Sequence, residues 1–213
     1  MTRAREGMIA SLTEDLAPVR SFRLRDGLVV AGIAALLSLA GVAWIKGLWM
    51  GAYQGDATPF FWITNGLLLL LGCASTLAVV KMASPHVGNS HETPKWATAM
   101  VGVLPLAAFI SLIPRQDPIG AITDPASSHC MVDSLTASLL VAAALVLWLR
   151  RGAPVSLNAA GWHTGLAAGA LGTVIYGLSC SLDTMVHLGV WHILPIVIAA
   201  VVGRLIVPRL IKW

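Results

Sequence analysis

A chain of 213 residues that is 57% hydrophobic and only 11% charged is far from a soluble globular domain, where about a quarter of residues carry charge. Its net charge of +4 comes from basic residues that sort by loop, so it reads as a topology signal and excludes a nucleic-acid-binding role. What remains is an all-α, polytopic membrane protein.

The stretch "GMIASLTEDLAPVRSFRLR" spaces Ile9, Leu12, Leu16 and Val19 at i, i+3, i+7 and i+10. That is the rhythm of a short amphipathic helix, which Pro18 should limit near Ala17. Two surfaces can cover its apolar stripe. One is anionic lipid, with Arg20, Arg23 and Arg25 on the headgroups; the other is a groove on a cytoplasmic partner.

Six apolar runs follow, at 27–45, 59–80, 96–113, 131–149, 157–178 and 185–206, each near the ~20 residues that cross a bilayer as helix. The first is expected to stay in the mature protein, because a long polar stretch precedes it and no small-residue cleavage pattern follows. Twelve of the fourteen basic residues fall in the N-terminal tail, the second and fourth loops and the C-terminus, which places both termini in the cytoplasm. Lys46 and Arg115 are the exceptions, and the opposite side carries Asp56, Asp117, Asp124 and Asp183. The chain therefore divides into a cytoplasmic tail, 1–26, and a six-helix transmembrane domain, 27–213.

In the fifth run Gly161, Gly165 and Gly169 recur every four residues, a smooth face for close backbone approach that puts this helix at the centre of the bundle. Pro105 and Pro195 each remove an i to i−4 hydrogen bond, so the third and sixth helices should kink. No internal repeat favours an inverted-repeat transporter. A small transporter or channel is nonetheless the alternative function, with Thr64 and Asn65 as its mid-membrane polar candidates.

Ionisable groups within the spans are few. Asp133, His163, Lys46 and Arg204 all sit near helix ends, where capping or snorkelling to the interface explains them. There are no paired carboxylates, no Gly-rich phosphate loop and no nucleophile elbow, so the sequence does not read as an enzyme.

Cys73 lies within "LLLLLGCASTL", where a thiol packs as a small hydrophobe. Cys130 and Cys180 differ: the chain enters the fourth helix just after one and returns to the same outer surface just before the other. Three fates are open to the pair on that oxidising side: a fixed disulfide, a redox-active pair, or ligands of a soft metal ion. His129 beside Cys130, and His187 with Asp183 four residues before it, are candidate accessory ligands. His192, five positions after His187, should point elsewhere and pack near the Pro195 kink. His86 and His91 of "SPHVGNSHETPKW" lie on the wrong side and read as solvated loop residues.

The tail "SLTEDLAPVRSF", the loop "LRRGAPV", Cys130 opening the fourth span and the ending "YGLSCSLDTMVHLGVWHILPIVIAAVVGRLIVPRLIKW", with its C-x10-W arrangement from Cys180 to Trp191, together resemble the NrsF family of six-span anti-sigma factors, negative regulators of sigma F. The resemblance implies that the tail holds an extracytoplasmic-function sigma factor at the bacterial inner (cytoplasmic) membrane. It further implies that Leu12 to Val19 is the sigma-binding segment, to which the apolar stripe adds Ile9, and that Cys130 and Cys180 sense metal or oxidative stress. Any histidine contribution rests on the positions of His129 and His187 alone.

Overall fold

The computed structural model describes residues 2–14, 23–84, 92–123 and 125–212. Every regular element among them is a helix: α1 (Thr2–Glu14), α2 (Leu24–Lys46), α3 (Met50–Gln54), α4 (Pro59–Met82), α5 (Glu92–Val101), α6 (Val103–Leu112), α7 (Pro118–Ile122), α8 (Pro125–Arg150), α9 (Leu157–Gly177), α10 (Met185–Trp191) and α11 (Leu194–Leu210). Their starts carry the expected chemistry. Thr58, Ser156 and Thr184 each accept a backbone N–H of the first turn of α4, α9 and α10, which satisfies an otherwise orphaned donor.

Helix α9 is the axis of the bundle. Fifteen of its 21 residues are buried, and α11, α8 and α4 pack around it. The Gly161, Gly165 and Gly169 face meets α11 and not α8: a Cβ on Gly165 would fall on the Ala199 carbonyl oxygen and 2.6 Å from the Ala200 Cα. The close approach to α8 comes instead through Gly172, whose missing Cβ leaves room for the Ser138 backbone.

Among the described residues five helical stretches are long and apolar enough to cross a membrane: α2, α4, α5 with α6, α7 with α8, and α10 with α11. The expected fifth span, 157–178, is present as α9 but is not among them. Its five glycines, four of its five alanines and Thr164 are buried among other helices, so it has little need of an apolar surface. Both proline expectations have a visible basis. Pro105 cannot donate to the Val101 carbonyl, and the helix is interrupted at Gly102, between α5 and α6. Pro195 cannot donate to the Trp191 carbonyl, and α10 ends there.

The fourth helix starts earlier than its apolar run. Pro125 opens α8, a position where a missing N–H costs nothing, so Cys130 lies inside the helix and not at its mouth. Cys73 is exposed on the outer surface of α4 beside Leu69, Leu70 and Leu77, and is not part of a core. Thr64 and Asn65 are buried, and the Asn65 side-chain amide donates to the Phe61 carbonyl of its own helix at 3.0 Å.

Candidate functional site

Four elements bring the site together. Ser127 and Cys130 sit one turn apart on α8, Tyr176 lies at the end of α9, Cys180 follows in the 178–184 connection, and His187 is in the first turn of α10. The connection is fixed on both sides. The Leu178 carbonyl accepts the Trp49 N–H at 2.9 Å, and the Asp183 carboxylate accepts the Thr58 N–H at 2.8 Å.

Within this frame the Cys130 and Cys180 sulfurs are 3.6 Å apart and both are free thiols. The His187 Nε2 is 3.4 Å from the Cys180 sulfur, and its Nδ1 is 3.0 Å from the Ser127 Oγ. The Tyr176 hydroxyl donates to the Cys130 sulfur at 3.7 Å. Cys130 and Cys180 are each 4% exposed, His187 5% and Ser127 2%. The Cys180 thiol keeps its proton more tightly than a free cysteine, first through its hydrogen bond with the Cys130 sulfur and then through burial.

The donor set fits a soft metal ion. The two sulfurs and one His187 nitrogen all lie within 4.8 Å of one another. Tetrahedral zinc with sulfur at ~2.3 Å and nitrogen at ~2.0 Å spaces two sulfurs ~3.8 Å apart and a sulfur and a nitrogen ~3.5 Å apart. The sulfur–sulfur and sulfur–nitrogen separations of 3.6 and 3.4 Å are already close to such an arrangement, and Ser127 engages the second ring nitrogen as an outer partner of a ligating histidine does.

Of the accessory ligands expected from the sequence, only His187 is brought in. His129 is exposed, because one step along a helix turns the side chain by about 100° away from Cys130. Asp183 precedes α10 and spends its carboxylate on the start of α4, so the same-face placement expected with His187 does not arise. His192 is fully buried, as a packing role requires, but it does not point away: its ring meets His187 edge-on at 5.3 Å between centroids. Ser127 and Tyr176 were not evident in the sequence. The signals were there in the i−3 spacing of Ser127 to Cys130 and the i−4 spacing of Tyr176 to Cys180, but serine and tyrosine are too common for either to stand out.

Of the tail stripe, Ile9 and Leu12 lie on α1 and are 55% and 63% exposed; Leu16 and Val19 fall outside the described residues, as do His86, His91 and Asp124.

Comparison with known proteins places this arrangement. The profile of the NrsF family, negative regulators of sigma F, matches residues 12–213. The chain belongs to the NrsF family. It is 29% identical over 205 residues to the anti-sigma-F factor NrsF of Caulobacter vibrioides (strain NA1000 / CB15N), covering 92% of this chain and 91% of that one. It is 28% identical over 157 residues to the probable anti-sigma-F factor NrsF of Azospira oryzae (strain ATCC BAA-33 / DSM 13638 / PS), covering 73% of each. No solved structure matches it.

Proposed function

We propose that this NrsF-family chain is an anti-sigma factor embedded in the bacterial inner membrane, with six crossings and both termini in the cytoplasm. Its tail, 1–26, sequesters an extracytoplasmic-function sigma factor through Ile9, Leu12, Leu16 and Val19, and the bundle, 27–213, releases it when Cys130 and Cys180 meet metal or oxidative stress. The observation that carries the sensing half is the convergence of Cys130, Cys180 and His187. The role named for its relatives supports the sequestering half.

Each residue then has a stated part. Cys130 and Cys180 supply thiolates and His187 a neutral imidazole, with Ser127 holding the ring. A bound thiophilic cation would draw the three donors to one point and displace the thiol protons. Hydrogen peroxide would act on the two thiols alone: they give up two electrons and two protons, a sulfur–sulfur bond forms, and the peroxide leaves as two waters. The metal would draw α8, the 178–184 connection and α10 together, whereas the disulfide would tie only α8 to the connection. Either event changes the output only if the two bundle states differ in affinity for the sigma factor.

The test is co-purification. Membranes containing the full chain should retain a co-expressed sigma factor, lose it on addition of cadmium or peroxide, and fail to switch in Cys130→Ser or Cys180→Ser. Membranes that retain no sigma factor would remove the anti-sigma reading. Normal switching in both cysteine variants would place the sensor elsewhere.

A further inference from the structure

A sensor at one end of the bundle and a tail at the other require a connection, and α2 is the helix that joins the tail directly. It is the loosest of the long helices. Only Gly27, Ala31 and Ala34 of its 23 residues are buried, all in its first half. There a Cβ on Gly27 would meet the Val80 and Trp148 side chains at 2.5 and 2.6 Å. One face of α2 continues this stripe at four-residue steps, as a helix requires, through Ser38, Val42 and Lys46. Each of these three contacts the surroundings of the thiols.

The Ser38 hydroxyl donates to the Ala137 carbonyl, Val42 packs against the cluster of Cys130, Tyr176 and Cys180, and the Lys46 Nζ lies 2.8 Å from the Asp133 Oδ2. Asp133 and Ala137 are three and seven residues beyond Cys130, on the same face of α8. Just past α2, the Trp49 N–H bonds the Leu178 carbonyl, two residues before Cys180. The second half of α2 is therefore attached on both sides of the sulfur pair while its first half is a seam of small residues against α4 and α8.

We propose that α2 transmits the state of the thiols to the tail and that the Lys46–Asp133 ion pair is its latch. The proposal rests on the anti-sigma reading above and adds the route by which that site acts. With free thiols the latch is closed and α2 holds the tail in its sequestering position. Closing the 3.6 Å gap between the sulfurs to a bond of about 2.05 Å shifts Cys130, and with it the stretch of α8 that carries Asp133. Because α2 is tied to α8 near the thiols by Ser38, Val42 and the Lys46–Asp133 pair, while its first half meets α4 and α8 only through a glycine and alanine seam, a shift of that size moves α2 along its length, as in shear between packed helices. Lys46 and Asp133 are positioning residues here and touch no ligand.

The test uses the full chain in membranes with a sigma-dependent reporter. Lys46→Met and Asp133→Asn should each raise unstimulated output about fivefold and blunt the further response to peroxide, as expected for the loss of one partly screened ion pair from a two-state balance. Both should leave cadmium binding and thiol titration at Cys130 and Cys180 unchanged, a readout that a general loss of structure would move. The exchange Lys46→Asp with Asp133→Lys should bring unstimulated output back toward wild type. The latch is overturned if wild type sequesters and responds while both single variants do the same, or if the singles are derepressed and the exchange is no better. If wild type holds no sigma factor, or the cysteine variants respond normally, it is the anti-sigma sensor reading that fails.

Discussion

Replacing Ser127 by alanine tests the site without touching any donor atom. Ser127 is 2% exposed, and its hydroxyl lies 3.0 Å from the His187 Nδ1. Alanine fills nearly the same space and removes only the group that orients the ring, leaving a buried nitrogen without its serine. Loss of an outer-shell partner of a ligating histidine costs about 10- to 100-fold in metal affinity, equivalent to roughly 1.4 to 2.7 kcal/mol. The measurement is competition between the reduced, detergent-solubilised protein and a chromophoric chelator for cadmium or zinc, with His187→Ala beside it. Ser127→Ala should fall between wild type and His187→Ala. Wild-type affinity in Ser127→Ala with a large loss in His187→Ala would show that the hydroxyl does not set the ring. Wild-type affinity in both would remove His187 from the ligand set.

Gly165→Ala places a methyl on the Ala199 carbonyl and should lower the thermal stability of the solubilised protein by about 1 to 3 kcal/mol, whereas Gly41→Ala, with nothing within 4 Å, should be neutral or slightly stabilising; equal melting temperatures would contradict the tight α9–α11 contact. Leu12→Ala combined with Leu16→Ala should release the sigma factor while the protein stays in the membrane, since two leucine anchors contribute a few kcal/mol together; unchanged retention would assign the stripe to lipid. Because the Cys180 proton is held tightly in the thiol pair, maleimide labelling of Cys180 in a Cys73→Ser background should be slow at neutral pH and accelerate as pH rises, when the reactive thiolate becomes populated; a rate independent of pH would contradict this.

The parts of the fold that sequence revealed are those set by local chemistry. Helical character, the glycine face and the two proline breaks follow from which backbone groups can bond and how closely two backbones can come. The boundaries were less legible. Hydropathy marks where an apolar run begins, but α8 starts six residues before its run because Pro125 and a polar first turn suit a helix start as well as apolar residues suit its middle. The partner of the glycine face could not be read either, since a smooth surface fits α8 and α11 alike. At the site, the two cysteines were visible because cysteine is rare in this chain, and His187 because it follows Cys180 closely. His129 is turned out of the cluster by rotation about a helix axis that began earlier than expected. Lys46 and Asp133 looked like independent interfacial residues, since nothing in the sequence ties two positions 87 residues apart that pair across α2 and α8.

The burial of α9 bears on how the protein is made. Released from the translocation machinery by itself, a helix in which ten of 21 residues are glycine or alanine and only five are leucine, isoleucine or valine gains little from lipid. In the proposed topology it must therefore wait beside α8 until α11, which follows it in the chain, covers its glycine face. A nascent chain that ends before α11 leaves that face open, which makes such fragments natural substrates for membrane quality control.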